Sequence, residues 1–347
     1  MTGPTRQSFN YSDCGPGSNL HPAMFWFAER LSNPSLLWAE RSYLEGEDKP
    51  QRMMDRLLPA VLLWGATTDL RRITEPKETM WVGQGKNPVA LMRSSWNDPN
   101  ALFVGIKGGS PAVNHAHMDI GSFVMDADGV RWAMDLGSER YHALESNGVD
   151  LWGKGQDSGR WKVFRYNNFV HNTLTINNAL QRVEGYAPIT HFSSNPAFMK
   201  AVIDLTAIYK GMTASVIMGI AMVDHRYVLV RDELEAPDQD QALTVRWSLL
   251  TPAAVQITGE GAAQLTQNGK KLGIHVTEPG KVSLKTWPTV PPQRYESSND
   301  GTVLLGFEVR LALKAKHTLN VLLIPESAGE KKWLKIWARL TVGPSRE

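Results

Sequence analysis

The chain has 347 residues, 42% of them hydrophobic and 21% charged, and a net charge of +2. This is the composition of a globular protein and excludes a disordered one. The near-neutral charge and the absence of a long Lys/Arg run exclude nucleic acid and a membrane surface as main partners.

At roughly 100–200 residues per domain the length indicates two units, one of them incomplete. The start, MTGPTRQSFNYSDCG, lacks the apolar core of a signal peptide, so a protein acting outside the cytoplasm would need an export signal not found in this chain. Cys14 is the single cysteine, which rules out an intrachain disulfide and a Cys-rich zinc site. No run of about 18 apolar residues is present, so no bilayer-spanning segment is expected.

The first quarter has helical texture. HPAMFWFAERL (21–31) is almost continuously apolar up to Glu29 and Arg30. After Pro34, the segment SLLWAERSYL repeats apolar residues at helical spacing and stops at Gly46. A third segment, DRLLPAVLLWG, is interrupted by Pro59 and ends at Gly65. Two or three helices are too few for a complete helical domain.

From about Met80 short β-rich runs alternate with Gly, Asn, Asp and Pro turns. They include ALFVGIKGG, GSFVMDADGVRWAMDLG, HNTLTINN, ASVIMGIAMVDHRYVLVRDEL, ALTVRWSLL, KLGIHVT, KVSLKTW, TVLLGFEVRL and HTLNVLLIP. Strands this dense, without helices between them, specify a mainly β fold, an antiparallel β-sandwich. The expected division is a helical segment over 1–78 and a sandwich over 79–347. DADG (126–129) and NNAL (177–180) have the composition of hairpin turns. Ser138 to Arg160 is expected to be one long loop, a feature that often carries function. The basic, amphipathic tail EKKWLKIWARLTVGPSRE is expected to pack Trp333 and Trp337 as a short helix or strand. Twelve tryptophans suit either core packing or the stacking of sugar faces, and composition does not choose between them.

NHAHMDIGSFVMDADGVRWAMDLG (114–137) carries the chemistry. In a strand, His115 and His117 would project from one face, with Asp119 next in line. The return strand delivers Asp135, and His171 lies far downstream in FVHNTLTIN. Two imidazoles and a carboxylate suit zinc or a similar ion, although hydrogen-bonded core histidines would leave the same trace. A regular hairpin would turn Asp135 away from His117, which favours Asp119 unless one extra residue flips the facing. Gly121 is placed for such a bulge.

HAHMDIGSFVMDADGVRWAMDLGSERY followed by RWKVFRYNNFVHNTLTINN resembles the heparinase II/III family of polysaccharide lyases in an ordered pattern over residues 115–178. The resemblance implies an incomplete α/α toroid followed by antiparallel sheets, with the active site in the cleft between them. His115 resembles the family's catalytic histidine. His117, Asp135 and His171 resemble the ligands of a structural zinc, a choice that requires the bulge. FNYSDCGP resembles the late end of the toroid, most of which has no counterpart here, including its Tyr and its carboxylate-binding Asn or His.

The activity implied is β-elimination on an acidic, uronic-acid-containing polysaccharide, with the protein periplasmic or secreted. The C5 proton becomes acidic once the adjacent carboxylate is neutralised, and a base must reach it. His115 is a candidate base or neutraliser, and Tyr141 the nearest candidate for the family's tyrosine. Asn114, Arg165 and Asn168 are candidates for substrate contacts. A separate upstream helical domain is a candidate partner. Two other readings remain at this stage: a catalytically incomplete carbohydrate-binding fragment or scaffold, and a cupin-like metal enzyme. The second lacks the Glu expected shortly after HxH.

Overall fold

The computed structural model describes residues 2–17, 20–45, 56–237, 243–312 and 314–329. The expected helix stop at Gly46 and the element expected to carry Trp333 and Trp337 lie outside these residues. Among the described residues no helix is long and apolar enough to cross a membrane.

Among the described residues the helical part comprises α1 (Ala23–Arg30), α2 (Trp38–Glu45) and α3 (Pro59–Trp64). The chain leaves α1 through Ser32, which has φ of 50°, and Asn33 then caps the next turn by accepting from the Ser35 amide. Pro59 starts α3 rather than interrupting it, because proline has no amide hydrogen to lose in a first turn. Phe25, Ala28 and Leu37 form a small core of their own, while Leu62 and Leu63 face outward.

The rest is β structure in three antiparallel sheets. The first runs in order β1 (Met80–Gly83), β2 (Val89–Arg93), β3 (Phe103–Lys107), β4 (Phe123–Ala127) and β5 (Val130–Ala133). A four-stranded sheet begins with β6 (Leu174–Ile176) and adds β11 (Leu243–Thr251), β15 (Lys285–Pro288) and β16 (Val303–Leu311). The third sheet has eight strands. They are β7 (Ile189–Ser193), β8 (Phe198–Asp204), β9 (Ser215–Val223), β10 (Tyr227–Glu235), β12 (Ala254–Gly259), β13 (Ala262–Gln267), β14 (Lys270–Glu278) and β17 (Lys316–Pro325). Their spatial order is β12-β13-β14-β17-β10-β9-β8-β7. Residues from all three sheets meet in one core, which includes Met92, Phe123, Trp132, Val230, Trp247 and Phe307.

Alternation decides which faces are buried. In β8 every second residue is buried, the pattern of a strand with one face on the core. Strands β2 to β5 are buried on both faces. Ala90 and Met92 enter the main core, and Val89 and Leu91 pack with Phe9 from the N-terminal segment. That segment is stitched down further. Thr5 Oγ1 donates to Asp126 at 2.6 Å, and Arg131, paired with Asp126, donates to the Ser8 and Gln7 carbonyls. FNYSDCGP is therefore non-helical and lies on the first sheet.

Three local expectations change. His115 and His117 precede β4 in a loop, not in a strand. Asn177 and Asn178 do form a turn, but β6 pairs with the distant β11 and not with a hairpin neighbour. The span from Ser138 to Arg160 holds a short helix, α4 (Tyr141–Ser146), that seats Leu144 in a satellite core with Met118, Leu151 and Trp161.

Candidate active site

The β4–β5 hairpin turns through Asp128 and Gly129, both at positive φ, as the tight two-residue turn requires. A one-residue register shift follows: Asp126 pairs with Arg131, but Met125 pairs with Ala133, leaving Trp132 as the extra residue. The bulge is thus on β5 and not at Gly121. It redirects the chain beyond Ala133, and the buried Asp135 comes to rest against His171, with Oδ2 2.9 Å from His171 Nδ1. The other Asp135 oxygen accepts the Gly137 amide at 2.8 Å. Gly137 has φ of 64°, and a Cβ there would lie 2.3 Å from the Cys14 carbonyl. This glycine lets the N-terminal segment approach the site.

Asp119 faces elsewhere. It forms a fully buried ion pair with Lys107 and accepts the Ser12 amide at 2.9 Å. His117 is fully buried, with its ring 5.7 Å from that of His171. Its Nε2 lies 3.0 Å from Asp13 Oδ1, a contact spanning 104 residues of sequence. Each imidazole thus has one nitrogen on a carboxylate. The other nitrogen of each, His117 Nδ1 and His171 Nε2, is buried without a hydrogen-bond partner. Burial lowers the pKa of His117 more than Asp13 raises it. For His171 burial also works downward, but the charge and hydrogen bond of Asp135 prevail and the net shift is upward.

Among the described residues no three His, Cys, Asp or Glu side chains stand as a ready-made metal cluster. The chemistry of the donors still fits a cation. Two partnerless buried nitrogens on neighbouring rings are costly unless something binds them. A carboxylate on the opposite nitrogen of each ring is the usual support for a metal-binding histidine.

His115 has the opposite environment. Its side chain is half exposed and its backbone φ is 58°. Left-handed backbone in a non-glycine residue is strained, and such residues concentrate at functional sites. His115 Nδ1 lies 2.7 Å from the Tyr141 hydroxyl and 3.3 Å from Asp13 Oδ2, with the two rings parallel. Tyr141 in turn donates to Asp13 Oδ2. Burial works against the Asp13 charge, but hydrogen bonds from His117 and Tyr141 and the charge of Arg160 hold its carboxyl well below the usual range. An ionised Asp13 only accepts, so Tyr141 must spend its proton on it. His115 Nδ1 therefore carries the hydrogen it gives to Tyr141 or Asp13, and Nε2 keeps a free lone pair. Burial first, then Asp13, push the Tyr141 phenol up, so it is protonated at neutral pH.

Arg160 fastens these pieces. It is buried and gives Nη2 to Asp13 at 3.1 Å, Nη2 and Nε to the Ala116 carbonyl, and Nη1 to the Leu151 carbonyl at 3.2 Å. Trp152 stands beside the pair, its ring 5.8 Å from His115 and 5.2 Å from Tyr141 and nearly perpendicular to both.

Two candidate substrate contacts are engaged within the protein itself. Arg165 spends its guanidinium on the Leu136, Ser138 and Ser298 carbonyls and on Asn299. Asn168 is fully buried, donating to Ala179 O and accepting the Gln181 amide. Both brace the loops behind the site, and Asn114 remains exposed beside His115. Sequence reasoning missed Asp13, Arg160 and Trp152. Asp13 lies within FNYSDCGP, Arg160 opens RWKVFRYNNFVHNTLTINN and Trp152 sits in the Ser138–Arg160 loop, all segments already singled out, but no spacing in the sequence joins the three.

The profile of the heparinase II/III-like C-terminal domain matches residues 90–309. The chain belongs to the heparinase II/III-like family. Solved heparinases share its fold. The structure of heparan sulfate lyase HepC from Pedobacter heparinus aligns with a TM-score of 0.62 at 13% identity, covering 93% of this chain and 44% of that one. A heparinase III gene product aligns with a TM-score of 0.60 at 16% identity, with the same coverage. A further heparinase III gives 0.56 at 14% identity over 73% of this chain and 37% of that one. The chain thus spans less than half the length of these heparinases. No curated protein matches it by sequence. The heparinase-like fold, a polysaccharide lyase architecture, replaces the cupin-like alternative.

Proposed function

We propose that this chain carries the β-sandwich half of a lyase that cleaves uronic-acid-containing polysaccharide by β-elimination. The observation that carries this reading is the arrangement Asp13–Tyr141–His115, which leaves His115 Nε2 free at the surface of a family that includes known lyases. His115 Nε2 takes the proton from C5, the C5–H electrons form the C4–C5 double bond, the C4–O4 bond breaks with its electrons on O4, and water protonates the departing O4. Asp13 and Tyr141 fix the His115 tautomer and stabilise the imidazolium as it forms. Tyr141, protonated and committed to Asp13, orients His115 and is a poor base. Asn114 contacts the substrate at the rim.

His117, Asp135 and His171 would hold a structural zinc. The two partnerless nitrogens, His117 Nδ1 and His171 Nε2, support the imidazoles, whereas Asp135 would join them as a ligand only by giving up the His171 Nδ1 and Gly137 amide bonds it now makes. Bound there, the ion would pin the 117 and 171 segments together behind His115 and would not activate water. A helical domain, in the same protein or as a partner, would supply the second wall of the cleft and the group that neutralises the substrate carboxylate. The site of action would be the periplasm or the exterior.

The test measures ultraviolet absorbance of unsaturated uronate on heparosan, hyaluronan and alginate, with a helical domain supplied in cis or in trans. Loss of a general base lowers the rate by about 10²–10⁴-fold, so His115→Ala should fall by that factor. Full activity in His115→Ala would end the assignment. A second reading, a carbohydrate-binding unit without catalysis, is identified by the same assay as binding without product.

A further inference from the structure

Building on that reading, we infer that Trp152 is the sugar-stacking platform of the site, binding the apolar face of the pyranose next to the residue whose C5 proton His115 takes. Trp152 is 51% exposed, although a large aromatic surface left in water loses the benefit of burial. Its one polar atom is already satisfied, since Nε1 donates to Glu145 Oε1 at 2.8 Å. What remains outward is apolar ring, suited to a C–H face and not to a hydrogen-bonding group.

The ring is held in place before any ligand arrives. Its neighbour Leu151 is buried in the satellite core, and the Leu151 carbonyl is gripped by Arg160, the residue that also holds Asp13. The Gly153 amide is bound to Asp150 Oδ1 at 3.1 Å, and the Gly155 carbonyl receives Trp161 Nε1 at 2.8 Å. A platform ordered in advance loses no conformational entropy on binding.

Position separates Trp152 from the other exposed tryptophans. Trp26 and Trp64 belong to the helical segment, and the Trp81 ring lies over its own strand, against Gly83. Among the described residues, Trp152 alone joins exposure to ring contact with both His115 and Tyr141. A sugar on its face is within one residue's reach of both.

The experiment measures calorimetric binding of saturated hexasaccharides from heparosan, hyaluronan and alginate, and of cellohexaose as a neutral control. The proteins are the wild-type chain, Trp152→Ala and Trp152→Phe. Loss of an aromatic stacking surface should weaken binding by about tenfold or more in Trp152→Ala. Trp152→Phe should recover most of it. Thermal melting checks that each variant is folded. Equal affinity in wild type and Trp152→Ala refutes the platform and leaves the lyase reading standing. A Trp152-dependent affinity for cellohexaose alone supports the platform and removes uronate as the substrate class. No binding of any hexasaccharide by wild type overturns the platform outright.

Discussion

Replacing Asp13 by Ala should destabilise the protein far more than an ordinary exchange in an irregular segment. The carboxylate is 6% exposed and meets four side chains: His117, Tyr141, Arg160 and His115. Hydrogen bonds to charged groups contribute about 1.5–3 kcal/mol each, but some of these partners will find water or each other once Asp13 is gone. The Arg160 guanidinium, also 6% exposed, will not, since its remaining acceptors are backbone carbonyls that leave its charge uncompensated. Stranding one member of a buried pair costs about 3–5 kcal/mol, and this is the expected loss for Asp13→Ala. Urea unfolding followed by tryptophan fluorescence measures it. In a double-mutant cycle, Arg160→Met on the Asp13→Ala background should restore part of the loss, because the charge left unpaired has been removed. A loss below about 1 kcal/mol, or strict additivity of the two changes, would refute the placement of Asp13 as the buried hub.

Asp232 gives a pH dependence. On β10 it is buried with neither oxygen hydrogen-bonded, and burial pushes it up to about 8 from 3.8. A carboxyl with a raised folded pKa binds its proton more tightly when folded. Its contribution is therefore fully present below about pH 3.8 and is lost as pH rises toward about 8. At about 1.4 kcal/mol per unit, Asp232→Asn should gain on the wild type by roughly 4 kcal/mol between pH 4 and 7, and parallel stability curves across that range would refute the assignment. Metal analysis of the purified protein should find about one zinc per chain, with binding weakened at least about tenfold in His117→Ala and in His171→Ala. Zinc retained in both variants would exclude these ligands. Arg165→Met and Asn168→Ala should lower stability by about 1–3 kcal/mol each and leave hexasaccharide affinity unchanged, and a loss of affinity in a folded variant would return that residue to the substrate surface.

The strands were legible because their cause is local. The apolar runs of β9 and β10 and the Asp128–Gly129 turn follow from burial and from which backbone conformations each residue tolerates, whereas β8 was not picked out although its burial alternates. The ordered motif from His115 to His171 was legible for a similar reason, since the residue types that chemistry needs persist in the chain. Short strands with weaker patterns, such as β12, with no buried residue, escaped notice because they lie at a sheet edge where burial writes no alternation.

By itself, the sequence determined the mainly β architecture, the presence of an imidazole–carboxylate cluster and the family resemblance. Tertiary structure alone decided how that cluster divides. The spacing of His115 and His117 implies a shared face only if the backbone is extended, and the left-handed turn at His115 sends one ring to solvent and the other into the core. The bulge at Trp132 decided that Asp135 meets His171, while Lys107 claimed Asp119. Asp13 and Arg160 became the hub because the N-terminal segment covers the first sheet and brings together groups 147 residues apart. Periodicity reports burial along one element, whereas such contacts depend on where separate elements come to rest against one another, and no local pattern encodes that.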